Sequence, residues 1–201
     1  MEWLILLSLA VVGYLYFKSR GQKPDLSVLP EQFIVLDLET TGLDPVKHEI
    51  IEIGAVKVNR DSNNHTTFQA LIKPSKKVPK KITEITGITQ EMVEAEGEEI
   101  ESVLKEFANF IGDLRLVTFN AEFDMGFLKE AARPHGIALA NPVSCALKMA
   151  RRAWPGLKSY RLADLANVGG LNSKGNHRAL KDCELTITVY TAAASKLGSV
   201  K

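Results

Sequence analysis

Residues 33–43 read FIVLDLETTGL, an apolar run that ends in two carboxylates and a glycine-containing turn. The run has the length and the composition of a buried strand. Because side chains two positions apart on a strand point to the same face, we expect Asp37 and Glu39 to lie side by side, on a face turned toward the core. Two acids at a strand end are common, so the pair alone also fits a solvated strand end.

The pattern on either side of this run predicts the fold class. Residues 50–58 and 68–72 partly alternate between apolar and polar positions, and their short connections favour antiparallel hairpins. Farther along, the spacing predicts helices over 100–111, after Asn120, over 147–152, over 162–166 and over 180–194, with one more strand over 114–119. Strands first, then strands and helices mixed, predict an α/β fold with an antiparallel edge and helices on both faces of the sheet.

Composition excludes several classes of protein. The chain has 201 residues, is 45% hydrophobic and 24% charged, and carries a formal net charge of +1. These values exclude a disordered tail, a collagen-like fibre and a strongly basic protein that binds nucleic acid by charge alone. They still permit a nucleic-acid enzyme with local basic patches. Two cysteines, Cys145 and Cys183, are too few for a disulfide framework.

The N-terminus carries an uncharged run, WLILLSLAVVGYLYF, over residues 3–17. As a helix it would be apolar on every side and roughly 22 Å long, slightly less than a bilayer core, which Met1 and the snorkelling Lys18 can span. We therefore predict a membrane anchor over residues 1–20. A cleaved signal peptide is the first alternative, although Glu2 replaces the usual cation and no A-x-A-like site follows. A buried core helix is the second alternative.

The residues after the run predict the orientation of the chain. Lys18, Arg20 and Lys23 place the remainder in the cytoplasm by the positive-inside rule, as a single-pass protein of the inner (cytoplasmic) membrane. Residues 21–30 are polar and contain Gly21, Pro24 and Pro30, which is typical of a linker. Residues 31–201 then form the folded domain.

Two later segments carry further acids. Asp124 lies in NAEFDMGFL, early in a predicted helix, where an acid also complements the helix N-terminus. Asp182 lies in HRALKDCE, five residues after His177. On one continuous helix this spacing turns the two side chains about 140° apart. They converge only if His177 lies in the loop before the helix; otherwise His177 is a surface histidine.

Taken together, the four acids predict a metal site. Two like charges about 4 Å apart repel by roughly 4 kcal/mol at an effective dielectric near 20, so a converging cluster requires cations. Carboxylate oxygens without sulfur favour Mg²⁺ or Mn²⁺. Two such ions, roughly 3.5–4 Å apart, form a clamp for displacement at phosphorus.

The order of the segments resembles a known family. D-x-E-T-T-G at 37–42, N-A-x-F-D at 120–124 and H-x-A-x-x-D at 177–182, with ITGIT at 85–89, are similar to the motifs of the DnaQ-like (DEDDh) 3′→5′ exonucleases. The proofreading (epsilon) subunits of bacterial DNA polymerase III belong to that family. The resemblance covers about residues 31–193 and implies an RNase H-like fold with a five-stranded mixed sheet flanked by helices.

The resemblance also implies roles for single residues. His177 would be the general base, and two Mg²⁺ or Mn²⁺ ions would be held by Asp37, Glu39, Asp124 and Asp182. The terminal nucleotide would be held by Thr40, Thr41, Asn120 and Phe123. The chain departs from the family at Phe119, where many members have histidine, and it ends soon after the third motif, so no polymerase-binding tail is expected.

The function predicted from these features is Mg²⁺-dependent 3′→5′ exonuclease activity that releases nucleoside 5′-monophosphates, with single-stranded 3′ ends of DNA as substrate. An RNA-trimming exonuclease is one alternative, since such a metal site cleaves both backbones. A non-catalytic nucleic-acid-binding module is the other, although all five catalytic positions are present. Two basic stretches, residues 73–81 and 148–161, either follow a phosphate backbone or form solvated loops.

Overall fold

The computed structural model describes residues 25–62, 64–168, 171 and 177–198. Its sheet has five strands in the order β3-β2-β1-β4-β5. The pairs β1–β2 and β2–β3 are antiparallel, whereas β1–β4 and β4–β5 are parallel. The strands are β1 (Gln32–Thr40), β2 (Ile50–Asn59), β3 (Thr66–Leu71), β4 (Leu116–Thr118) and β5 (Val143–Cys145). The predicted mixed sheet with an antiparallel edge is confirmed.

The helices of the described residues flank this sheet. They are α1 (Lys80–Thr86), α2 (Gln90–Ala95), α3 (Ile100–Ile111), α4 (Ala121–Ala132), α5 (Ala146–Ala153), α6 (Leu162–Val168) and α7 (Ala179–Gly198). The five helices predicted from spacing, α3 to α7, are confirmed. The sequence analysis missed α1, α2 and β5, which have seven, six and three residues. Each of these segments buries at most one side chain, Thr86 in α1 and Val93 in α2, so none has an apolar face from which a period could be read, and their structure depends on tertiary packing.

The core lies on both faces of the sheet because side chains alternate along β1. Ile34, Leu36 and Leu38 pack with α3 and α4 on one face. Phe33 and Val35 pack with α5 and α7 on the other. Asp37 and Glu39 have the same parity as Phe33 and Val35, so they project from the face that α7 covers. The expectation that this pair lies on a covered face is confirmed.

The chain enters β1 from a short segment that packs on the domain. Leu26–Val28 forms a 3₁₀ turn, and Leu29 is 3% exposed. The backbone N–H of Asp25 donates to Ser195 Oγ of α7 over 2.9 Å, and Arg60 Nη1 donates to the Leu29 carbonyl over 2.8 Å. The described end of the predicted linker is therefore fixed to the domain.

The predicted anchor, residues 1–20, and residues 21–24 of the predicted linker lie outside the described residues. Within the part of the chain that the structure describes, no helix has the length and apolar character needed to cross a membrane.

Candidate active site

The acids of the three motifs meet at the carboxyl ends of two adjacent parallel strands. Asp37 and Glu39 lie at the end of β1, and Asp124 lies in the first turn of α4, which follows β4. Asp182 lies in the first turn of α7. Ligand oxygens of Asp37, Glu39 and Asp182 lie within 4.8 Å of one another, and Asp124 lines the same pocket. The structure thus brings together all four acids that the sequence analysis selected. We call them the acid cluster.

The electrostatics of the acid cluster are unfavourable without a cation. Burial raises the pKa of Asp37 well above its usual value, and the charges of the other acids raise it further. Burial, followed by the charge of Asp182, raises the pKa of Glu39 to about 8. Burial also raises the pKa of Asp124 to about 7, although the hydroxyl of Thr118 donates to this carboxylate and opposes the rise. The acid cluster therefore favours the binding of protons or metal ions.

His177 lies in the loop before α7, whose first residue is Ala179. Its Nδ1 is 2.8 Å from Asp182 Oδ2, and its backbone N–H donates to the Ile85 carbonyl over 3.0 Å. The imidazole is half exposed and lines the pocket of the acid cluster. The side chains of His177 and Asp182 therefore converge although they are five residues apart, because His177 lies in the loop and Asp182 in the helix, as the sequence analysis required. With Nδ1 facing Asp182, Nε2 is the ring nitrogen that can meet a water molecule or a substrate.

Two adjoining pockets open beside the acid cluster, and Asp37, Phe123, His177 and Asp182 line both. The first has a volume of about 260 Å³ and is bounded on its other sides by α4, α6 and α7. The second, of about 590 Å³, is mostly apolar and extends past Leu38 to α1. The acids lie where the two pockets meet, so the site resembles a groove with the acid cluster at its centre.

Two of the residues predicted to bind substrate face this groove. The ring of Phe123 is half-buried, packs 4.9 Å from the ring of Phe127 and lines both pockets. Asn120 precedes α4, is exposed and lines the first pocket; its side chain makes no capping hydrogen bond to the helix. Both residues face the groove, and their predicted contact with the terminal nucleotide stays a prediction.

The two threonines after the acids shape the loop that borders the second pocket. Thr40 Oγ1 donates to the Gly42 carbonyl over 2.6 Å, and Thr41 Oγ1 accepts from the backbone N–H of Glu49 over 2.9 Å. Both are 7% exposed and line the second pocket. Their hydroxyls are thus already used to hold the turn after β1, and their predicted contact with a nucleotide stays a prediction.

Glu52 on β2 is a site residue that the sequence analysis missed. It is fully buried and is the register partner of Glu39. Burial acts to raise its pKa, but hydrogen bonds from Arg178, from the Ala179 N–H and from Gln69 outweigh burial and hold the pKa below its usual value. The only sequence signal for this residue was an acid inside the otherwise apolar run IIEIGAV.

Gly54, two residues farther along β2, lets α7 approach the sheet closely. A Cβ at this position would lie 2.6 Å from the backbone nitrogen of Leu180, which is too close for any side chain. The Cys183 thiol donates to the Gly54 carbonyl over 3.3 Å. Gly54 is the register partner of Asp37, so the close packing holds the helix of Asp182 directly over the first acid.

The chain resembles known nucleases over most of its length. A family model, RNase_T, described as an exonuclease, matches residues 34–190. The DNA polymerase III subunit epsilon of Aquifex aeolicus is 37% identical over 172 residues, which cover 85% of this chain and 84% of that protein. The PolC-type DNA polymerase III of Clostridium perfringens is 37% identical over 167 residues, but this chain spans only 11% of its length.

Solved structures agree. Exonuclease X in complex with 5′-overhanging duplex DNA matches with a TM-score of 0.67 and 28% identity, covering 83% of this chain and 93% of that one. An E. coli ExoI–ssDNA complex shares the fold, with a TM-score of 0.67 at 21% identity, over 79% of this chain and 39% of that one. The chain therefore belongs to the exonuclease family. The predicted resemblance and the predicted nuclease class are confirmed.

Proposed function

We propose that this member of the exonuclease family removes nucleoside 5′-monophosphates from the 3′ ends of DNA. The observation that carries the proposal is the convergence of His177 and four carboxylates, from three separate segments, on one groove. DNA as substrate is supported by relatives named as DNA polymerase III subunits and by the DNA complex of exonuclease X. A single-stranded 3′ end suits a groove that is open at the surface.

The acid cluster fits two Mg²⁺ or Mn²⁺ ions. Its donors are carboxylate oxygens, three of which lie within 4.8 Å of one another, and burial together with the charges of the neighbouring acids raises the pKa of Asp37 and Glu39, which favours the binding of cations. Asp37, Glu39, Asp124 and Asp182 would hold the ions. When bound, such ions supply positive charge to the phosphate and lower the pKa of a bound water.

His177 would act as the general base. Asp182 fixes the imidazole through Nδ1, which selects the tautomer whose Nε2 accepts a proton. Nε2 would take the proton of the attacking water, and the half-exposed ring can pass that proton to solvent. The apolar pocket beside Phe123 would receive the terminal base and thereby orient the last phosphodiester toward the acids.

The DNA strand whose 3′ end enters the site would lie along a basic surface beside the first pocket. Residues 148–161, from α5 to the start of α6, include five cations and no acid. This segment leads directly into Leu162 and Ala163, which line the first pocket. Phosphates along this surface would place the 3′ end at the acid cluster. The other basic stretch borders the second pocket through Lys81 of α1.

The test uses the full chain in detergent with three labelled substrates: single-stranded DNA, duplex DNA and single-stranded RNA. Strands labelled at the 3′ end should lose the label first, as a nucleoside 5′-monophosphate, while strands labelled at the 5′ end should shorten gradually. Release should require Mg²⁺ or Mn²⁺ and stop with EDTA. Faster release from RNA would favour the RNA-trimming alternative. Binding without release under every condition would favour the non-catalytic module and contradict the proposal.

A separate proposal concerns location: residues 1–20 anchor the chain in the inner (cytoplasmic) membrane, 21–30 link it, and the domain of residues 31–201 works in the cytoplasm. The support is the uncharged run over 3–17 and the cations that follow it. The full chain should sediment with membranes and resist extraction by high salt or carbonate, and a chain without residues 1–20 should be released. A shortened N-terminus outside the cytoplasm would favour the signal peptide, and full-length chain in the soluble fraction would favour the core helix.

A further inference from the structure

Glu52 and Arg178 form an ion pair beside the acid cluster. Arg178 Nη2 donates to Glu52 Oε1 over 2.7 Å, and Arg178 Nε lies 3.1 Å from each carboxylate oxygen. Gln69 Nε2 donates to Oε1 over 2.8 Å. The side chain of Glu52 is fully buried, whereas that of Arg178 is 36% exposed. The charge of Glu52 is therefore neutralised within the protein, and this carboxylate does not need a metal ion.

The Glu52–Arg178 pair holds the backbone directly after His177. Arg178 directly follows His177, and the next residue, Ala179, is the first of α7. The Ala179 N–H donates to Glu52 Oε2 over 3.0 Å. The first N–H groups of a helix have no partner within the helix and are stabilised by a carboxylate. Glu52 therefore caps α7 from a strand 127 residues away and at the same time holds the side chain next to His177.

We propose that the Glu52–Arg178 pair is a positioning device for His177, an inference that rests on the proposed function. The backbone N–H of His177 donates to the Ile85 carbonyl over 3.0 Å. Its ring contacts Asp182, which belongs to α7, so the ring keeps its place only if the loop and the helix stay in register. A misplacement of about 1 Å costs roughly 10²-fold in rate, so a loose loop is enough to impair the base.

The experiment combines Arg178→Gln and Glu52→Gln with His177→Ala in the full chain. Each single variant should lower kcat on single-stranded DNA by about 10–100-fold. KM and the Kd for Mn²⁺, measured without DNA, should change by less than about threefold, since neither residue is assigned to hold ligand. In the His177→Ala background, Arg178→Gln should lower kcat by less than about twofold, because the group that it positions is already absent.

A control variant separates positioning from general loosening. Arg60→Gln removes an arginine that ties a backbone carbonyl, that of Leu29, at the other end of the sheet. It should retain wild-type kcat even if it lowers Tm. An equal loss of kcat from Arg178→Gln with and without His177 would show a merely structural role and overturn the proposal, as would wild-type kcat in both single variants.

Two further measurements keep the test decisive. If Arg178→Gln does not fold, Arg178→Lys retains the charge without the forked geometry; a several-fold loss that disappears in the His177→Ala background supports the proposal, and wild-type kcat overturns it. Hydrogen exchange of the His177 amide should be about tenfold faster in Arg178→Gln, and unchanged exchange overturns the proposal. A wild-type chain without exonuclease activity contradicts the proposed function alone, and amide exchange then still tests the pair.

Discussion

Glu39 and Glu52 are neighbours across β1 and β2, but their surroundings differ. They are register partners, both project from the face that α7 covers, and they are 9% and 0% exposed. Burial and the charge of Asp182 raise the pKa of Glu39 to about 8. Burial of Glu52 is outweighed by hydrogen bonds, foremost from Arg178, and its pKa is lowered. Arg178 donates directly to Glu52, whereas among the described residues no cation forms an ion pair with Glu39.

Under the proposed function, this difference distinguishes a carboxylate that would hold a metal ion from one that stabilises the fold. An unpaired buried charge destabilises the folded state, so a protein retains several of them together only where an external cation completes the site. A charge that the protein itself neutralises holds elements in place. Here the two kinds of carboxylate, Glu39 and Glu52, lie on adjacent strands, which are about 4.8 Å apart.

The largest expected effect is the loss of turnover when the acid cluster is broken. Asp37→Asn and Asp182→Asn remove negative charge at the points where metal ions would be held. Metal ions contribute several kcal/mol to such reactions, so turnover should fall by about 10³-fold or more. The measurement is release of mononucleotides at saturating Mg²⁺.

Stability provides the control for these two variants. Because each substitution relieves repulsion among buried carboxylates, the metal-free variants should melt at or above the wild-type temperature. Wild-type turnover in either variant would contradict the metal assignment. A large drop in Tm would mean that the lost activity reflects unfolding.

The second effect separates the base from the metal ligands. His177→Ala should lower kcat by about 10²–10⁴-fold, the usual contribution of a positioned general base. The Kd for Mn²⁺ should stay close to the wild-type value, since the imidazole contacts Asp182 but is not assigned as a ligand. Restoration of kcat by excess Mg²⁺ would instead identify His177 as a ligand or as a support for one.

Much of the site could be predicted because its chemistry lies in short, separated motifs. The spacing of Asp37 and Glu39 on a strand, and the requirement that His177 precede its helix, both follow from backbone geometry. The structure has both features. Local periodicity also predicted the three long strands and the helices from α3 onward, since their apolar residues recur at strand or helix spacing.

Glu52 could not be found in this way. In a partly alternating strand, a charged residue between apolar ones indicates the solvent side. In this fold α7 covers that side, because Gly54 admits the helix to within contact distance of β2. The partner of Glu52, Arg178, is 126 residues away in the chain, so no local pattern connects the two. The short elements α1, α2 and β5 escaped prediction for a related reason, since long-range packing defines them.

The third effect has opposite signs at the two neighbouring glutamates. Glu52→Gln removes charge-assisted hydrogen bonds from a buried site, which costs about 1–3 kcal/mol and lowers Tm by roughly 2–12 °C. Glu39→Gln removes an unpaired buried charge, so at pH 8.5 in EDTA it should raise Tm by about 2–4 °C. Thermal melts of the two single variants and the wild type, in one buffer, make the measurement. Shifts of the same sign would contradict the distinction between the two carboxylates.

The smallest effect is the pH dependence of stability without metal. The folded-state pKa values of Glu39, about 8, and Asp124, about 7, lie above the ordinary carboxyl values of the unfolded chain, so the folded state binds more protons between these limits. The resulting stabilisation is fully present below the unfolded pKa and is lost as the pH rises through 7 and 8. In EDTA, Tm should therefore fall by several degrees as the pH rises from 6 to 8.5. Glu39→Gln should make Tm less dependent on pH, whereas Glu52→Gln should lower Tm without changing its dependence on pH.

Saturating Mg²⁺ should reverse the trend, because ionised carboxylates bind the metal better than protonated ones. A metal-free Tm that rises over this pH range would contradict the raised pKa of Glu39 and therefore its difference from Glu52.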